Sequence, residues 1–134
     1  MPEYTNAAVQ TVAANQNVLF TSTPVGCNTG NVIHREGSGI ATLRGVTNQC
    51  RARYRVSFVG NIAVPTGGTA GAISVSLAIN GEPLPASTAI VTPAAVEEYF
   101  NVSLDTFVDV PRGCCVTVAV RNTTATPINV QNAN

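Results

Sequence analysis

Apolar and polar residues alternate with a period of two along most of this chain. In "AISVSLAINGEPL" the side chains of Ile73, Val75, Leu77 and Ile79 fall on one side and Ser74, Ser76 and Ala78 on the other, the pattern of a half-buried β-strand. Asn80-Gly81 follows directly, the pair best suited to the positive φ angles of a two-residue hairpin turn. "CRARYRVSFVGNIAV" places Cys50, Ala52, Tyr54, Val56 and Phe58 on one face and Arg51, Arg53, Arg55 and Ser57 on the other. A third run, "CCVTVAVRN", sets Cys114, Val116, Val118 and Val120 against Cys115, Thr117, Ala119 and Arg121. Tyr54, Val56, Phe58, Val116, Val118 and Val120 are therefore expected in the core or at a contact between subunits.

Turn clusters separate these runs: "TPVGCNTGN", "REGSG", "PTGGTAGA", "GEPLPAS" and "VPRG". Their spacing is that of short antiparallel strands. No long stretch repeats every 3.6 residues, and "PAAVEEYF" has room for about one helical turn. The pattern predicts an all-β, antiparallel sandwich or jelly roll of roughly eight to ten strands in one domain, residues 9–134. Residues 1–8 are small, polar and weakly patterned, and are expected to form a flexible N-terminal arm.

Composition narrows the function. Charged residues are 10% of the 134, hydrophobic residues 45%, the formal net charge is zero, and every basic residue is arginine. A neutral surface has little long-range pull on phosphates, which argues against a nucleic-acid binder, and gives copies of the chain little reason to stay apart, which favours assembly. The start of the chain shows no basic segment followed by an apolar one, and nowhere do eighteen apolar residues run together. Synthesis in the cytosol and no membrane partner are the expectations.

Candidate chemistry is sparse. Adjacent residues of a strand point to opposite faces, so Cys114 and Cys115 cannot jointly hold one ion, and a ring closed between neighbours is strained. They read as ordinary buried or interface thiols, with a disulfide between Cys27 and Cys50 as the alternative. There is no C-x-x-C, and His34 has no second histidine to share a metal. "HREG" pairs His34 with Glu36 only as a strand end entering a turn. "GSG" at 37–39 lacks the G-x-S-x-G frame of a nucleophile elbow, and "PTGGTAG" at 65–71 is followed by no lysine. No catalytic, cofactor-binding or metal-ligating residue is assigned, and an enzyme is not expected.

Arg51, Arg53 and Arg55 are the strongest charge feature. Strand residues two apart stand about 7 Å apart on one face, so the guanidinium groups form a ladder. Three readings are open: a solvated face with local pairs to Glu82, Glu97, Glu98 or Asp109; a salt-bridge seam between subunits; or a contact with an anionic ligand.

The order of these features resembles the C1q and tumour-necrosis-factor-like jelly roll, especially its small bacterial and phage-borne members. The likeness runs from about Val9 to Asn134 and rests on Ala52 and Tyr54, then "VSLAINGEP", then Val108, Val110, Gly113, Cys114 and Val116. Ala52 stands where that family often has glycine, and Cys114 where it often has aspartate. The resemblance implies a homotrimer used for recognition or capping. A structural protein on the exterior of a phage or phage-like particle, as capsid decoration, head fibre or tail-tip protein beside other virion proteins, is the leading expectation. The alternative is a C1q-like module on a bacterial cell or spore surface that binds a glycan or a host-surface ligand. In that family the last strand runs further than "TPINVQNAN" and sits centrally, so the domain is expected to lack its last strand or to borrow it from a partner.

Overall fold

The computed structural model describes residues 2–26, 31–46, 48–113 and 115–134. Within them the chain forms eleven strands and no helix: β1 Glu3–Thr5, β2 Gln10–Val12, β3 Ser22–Val25, β4 Val32–His34, β5 Ala41–Arg44, β6 Arg51–Ala63, β7 Ile73–Ile79, β8 Glu82–Val91, β9 Phe100–Pro111, β10 Cys115–Asn122 and β11 Ile128–Gln131. They make a five-stranded sheet in the order β4-β5-β10-β7-β8, a four-stranded sheet β2-β11-β6-β9, and a two-stranded ribbon β1-β3. Every pairing is antiparallel. The protein is an all-β antiparallel sandwich.

The alternating runs are the strands that build the core. Ile73, Val75 and Leu77 of β7 meet Phe58 and Ile62 of β6, Val102 and Leu104 of β9 and Ile128 and Val130 of β11 between the sheets. A second cluster joins Leu43, Val116 and Val118 of the five-stranded sheet to Val108 and Val110 of β9, with Tyr54 and Val56 packed against it half-buried. Asn80 and Gly81 have φ of 52° and 84° and lead straight into the Ile79–Glu82 pair, the type I′ hairpin that their sequence demands. Ser76 and Ala78, expected on the open side of β7, are buried as well. Both are small and lie in a strand flanked by β10 and β8, so they have little surface to show.

Several expectations are corrected. The segment expected as a flexible arm is placed in the fold: β1 pairs with β3, and Asn6 exchanges backbone hydrogen bonds of 2.9 Å with Ala133. Three-residue strands are too short to display a period, which is why the sequence hides them. β11 lies between β2 and β6. "PAAVEEYF" contains a turn with Glu97 at φ 59° and then the start of β9. Cys50 lies in a bend before β6 and is exposed, so it does not belong to the inward face of that strand.

Candidate functional site

The two sheets differ in completeness at one end, and this difference creates the site. β6 is thirteen residues long, but β11 pairs only with its last part, Asn61, Ile62 and Ala63. Beyond that, Val59 and Asn134 exchange backbone hydrogen bonds of 2.9 and 2.8 Å. From Arg51 to Ser57, β6 pairs with β9 on one side and, among the described residues, with no strand on the other.

A cleft of about 810 Å³ opens along this side of β6. One wall is β6 itself, from Arg53 to Phe58. The opposite wall belongs to the five-stranded sheet and presents Ala41, Leu43, Leu77, Val118 and Val120. Pro2, Tyr4 and Val25 of the β1-β3 end close the third side. The cleft thus reaches apolar surface that a complete four-stranded sheet would cover.

A row of rings runs from the ribbon to the core. Tyr4 and His34 lie 4.2 Å apart between centroids, tilted by 36°. Phe20 meets His34 at 6.3 Å and 74°, and Phe58 at 6.3 Å and 78°, both edge-to-face. His34 Nε2 sits 2.9 Å from the Ser38 carbonyl oxygen. A carbonyl only accepts, so Nε2 carries a proton, and in the neutral ring Nδ1 then presents a lone pair. That Nδ1 is buried and has no hydrogen-bond partner. Glu36 bonds neither ring nitrogen, so no His-Glu acid/base pair is formed. Tyr54 is held by its hydroxyl, which lies between the carbonyls of Arg44 and Asn31, the latter at 3.3 Å.

The arginine ladder faces outward on the other side of β6, where two aspartates of β9 pair with its three guanidinium groups. Arg53 donates from Nε to Asp109 at 2.8 Å, Arg51 adds a contact with the same carboxylate at 3.5 Å, and Arg55 donates from Nε to Asp105 at 3.0 Å. Cross-strand register explains the choice: Arg53 stands opposite Asp109, and Ser57 opposite Asp105. The Arg53 guanidinium holds the Asp109 carboxyl below its ordinary pKa, and Arg55 does the same for Asp105, while both arginines are raised by these bonds. Of the acidic partners expected, only Asp109 takes part. Glu97 instead accepts from Thr66 at 2.7 Å and from Asn129 at 3.4 Å. Asp105 was the partner missed, although "LDTFVD" puts it four residues from Asp109 and so on the same face of a strand.

Phe58, Val116, Val118 and Val120 are buried. Cys115 begins β10 and is exposed. Cys27 and Cys114, and with them the disulfide and the thiol pair, lie outside the described residues. Among the described residues no cluster of metal-ligating side chains is present.

No family model matches the chain. No curated protein matches it either. Among solved structures it is similar to the EclA C-terminal domain, a sugar-binding protein, at 18% identity with a TM-score of 0.44 over 96% of this chain and 79% of that one. It is similar to a family 35 carbohydrate-binding module from an environmental isolate at 13% identity with a TM-score of 0.37, over 98% of this chain and 89% of that one.

Proposed function

We propose that the protein is a non-enzymatic recognition module that holds its ligand in the cleft beside β6. The observation that carries this reading is the row of Tyr4, His34 and Phe20 in an apolar cleft that also holds a buried acceptor, His34 Nδ1, with no donor. Concave apolar sites with a few convergent polar groups are where ligands bind. Flat rings suit the faces of sugars and of extended peptides alike. The C1q/TNF-like resemblance supports a recognition role. Calorimetric titration and thermal shift against a panel of oligosaccharides and short peptides test the reading. A ligand class should raise the melting temperature, and Tyr4→Ala and His34→Ala should each weaken it about tenfold or more, as expected for loss of a stacked ring or a buried hydrogen bond. Binding that ignores both changes would place the ligand elsewhere and overturn the assignment.

A second reading, a homotrimeric assembly protein on the exterior of a phage-like particle, is favoured by one surface. Phe107 is 68% exposed and Val59 42%, both on the outer face of β6 and β9 that carries the arginine ladder. Exposed apolar groups beside paired charges suit a subunit seam.

A further inference from the structure

The unpaired side of β6 has a defined polarity. Val59 directs its N–H and C=O toward Asn134, away from β9. The β6–β9 register is unbroken from Arg51 to Ile62, and residues two apart on a strand direct their backbone groups the same way. Arg51, Arg53, Arg55 and Ser57 therefore aim their N–H and C=O groups at the open side, where no strand pairs with them among the described residues. Tyr54, Val56 and Phe58 direct theirs to β9. An open row of donors and acceptors is a template for another strand.

We propose that this side of β6, from Arg51 to Ser57, accepts an extended peptide segment of a partner polypeptide as an added strand, in which apolar residues alternate with acidic ones. The proposal rests on the reading of the cleft as the ligand site and names the ligand's chemistry. An added strand would turn every second side chain inward, toward Leu43, Val118 and the half-buried Val56, where apolar groups fit. The intervening side chains would stand on the outer face beside Arg51, Arg53 and Arg55. That face carries these three arginines against two aspartates, Asp105 and Asp109, so its surplus is positive and acidic side chains complement it. Main-chain bonds supply affinity and the alternating pockets supply specificity in this mode of recognition. Seven residues from Arg51 to Ser57 extend about 20 Å, a length that one heptapeptide covers. Asn134, bonded to Val59, bounds the site at one end.

The test uses fluorescein-labelled heptapeptides in which valine, leucine or phenylalanine alternates with aspartate, read by anisotropy. Block-ordered peptides of the same composition are the controls. Two further versions carry N-methyl groups on either the apolar or the acidic residues. In an added strand only one of these sets faces β6, so one version should lose about tenfold or more in affinity and the other little. Backbone exchange in the wild-type protein gives an independent readout. The amides of Arg53, Arg55 and Ser57 should exchange fast in the free protein and slow about tenfold or more with peptide, while those of Tyr54, Val56 and Phe58 stay slow throughout. Ser57→Pro removes one donor on the open side and should weaken binding about tenfold, whereas Ser57→Ala should not. If the proline variant does not fold, the exchange measurement on the wild type decides. Equal sensitivity to both N-methyl sets, or no change at Arg53, Arg55 and Ser57 with peptide at saturation, would overturn the strand site. Sugars binding in the cleft with no alternating peptide doing so would leave the recognition module standing and remove this proposal. No ligand of either kind would remove both.

Discussion

Asn122, at the end of β10, is fully buried and fully bonded. Its Nδ2 donates to the carbonyls of Val12 at 3.0 Å and Thr126 at 3.0 Å, with Ala13 at 3.3 Å, and its Oδ1 accepts from the Thr124 N–H at 2.9 Å. One amide thus ties β10 to the end of β2 and shapes the turn that leads into β11. Asn122→Leu would keep the volume but leave these backbone groups buried without partners. The expected loss is about 2–3 kcal/mol of stability, the scale of uncompensated polar burial, measured as a lower denaturant midpoint at unchanged slope. A loss within about 0.5 kcal/mol, typical of surface changes, would mean that water replaces the amide. Nothing local in "VRNTTATP" marks this residue as buried, because Val12 lies 110 residues away in sequence. His34 is the same case: the sequence shows a lone histidine entering a turn, and only the fold sets it between Tyr4 and Phe20.

At the scale of elements, sequence and structure agree best at β6, β7 and β10. β6, β7 and β10 were legible because each has seven or more residues with inward positions of one kind, enough to show a period of two. β1, β2 and β4 have three residues each, and their existence depends on partners far along the chain. The cleft was illegible for a related reason, since it arises where a strand stops short and no residue pattern records that. The ion pairs across β6 and β9 make a pH prediction. Asp105 and Asp109 are held below their ordinary pKa in the fold, so their pairing contributes stability above the carboxylate's unfolded value, about 4, and loses it as pH falls through the lowered folded values. Both pairs are solvent-exposed, so salt weakens them as well. The melting temperature should be flat from about pH 5 to 8 and fall below about pH 4. In Asp105→Asn with Asp109→Asn that acid-side fall should be shallower than in the wild type. An identical acid limb in the double variant would mean that other carboxylates set it.

For the whole molecule, the open end of the sandwich and the outer face of β6 and β9 offer two routes to a partner, and they separate by geometry. The cleft presents backbone groups and an apolar interior, whereas the outer face presents Phe107, Val59 and paired charges. A seam on the outer face would also cover Arg51, Arg53 and Arg55, beside which an added strand sets its acidic side chains, so the two routes meet at the ladder. The formal net charge of zero adds little long-range repulsion between copies. If the assembly reading holds, the protein runs at three times its monomer mass in light scattering at micromolar concentration, as a closed cyclic assembly does. Phe107→Asp would then set a carboxylate in the seam beside Asp105 and Asp109, and the trimer should give way to monomer. The monomer should keep its β-type circular dichroism, because Phe107 takes no part in either core cluster. A wild-type protein that stays monomeric across this range would remove the trimer and leave the cleft as the working surface. A Phe107→Asp trimer would move the seam elsewhere, with exposed Ile90 at 68% on β8 the next residue to change.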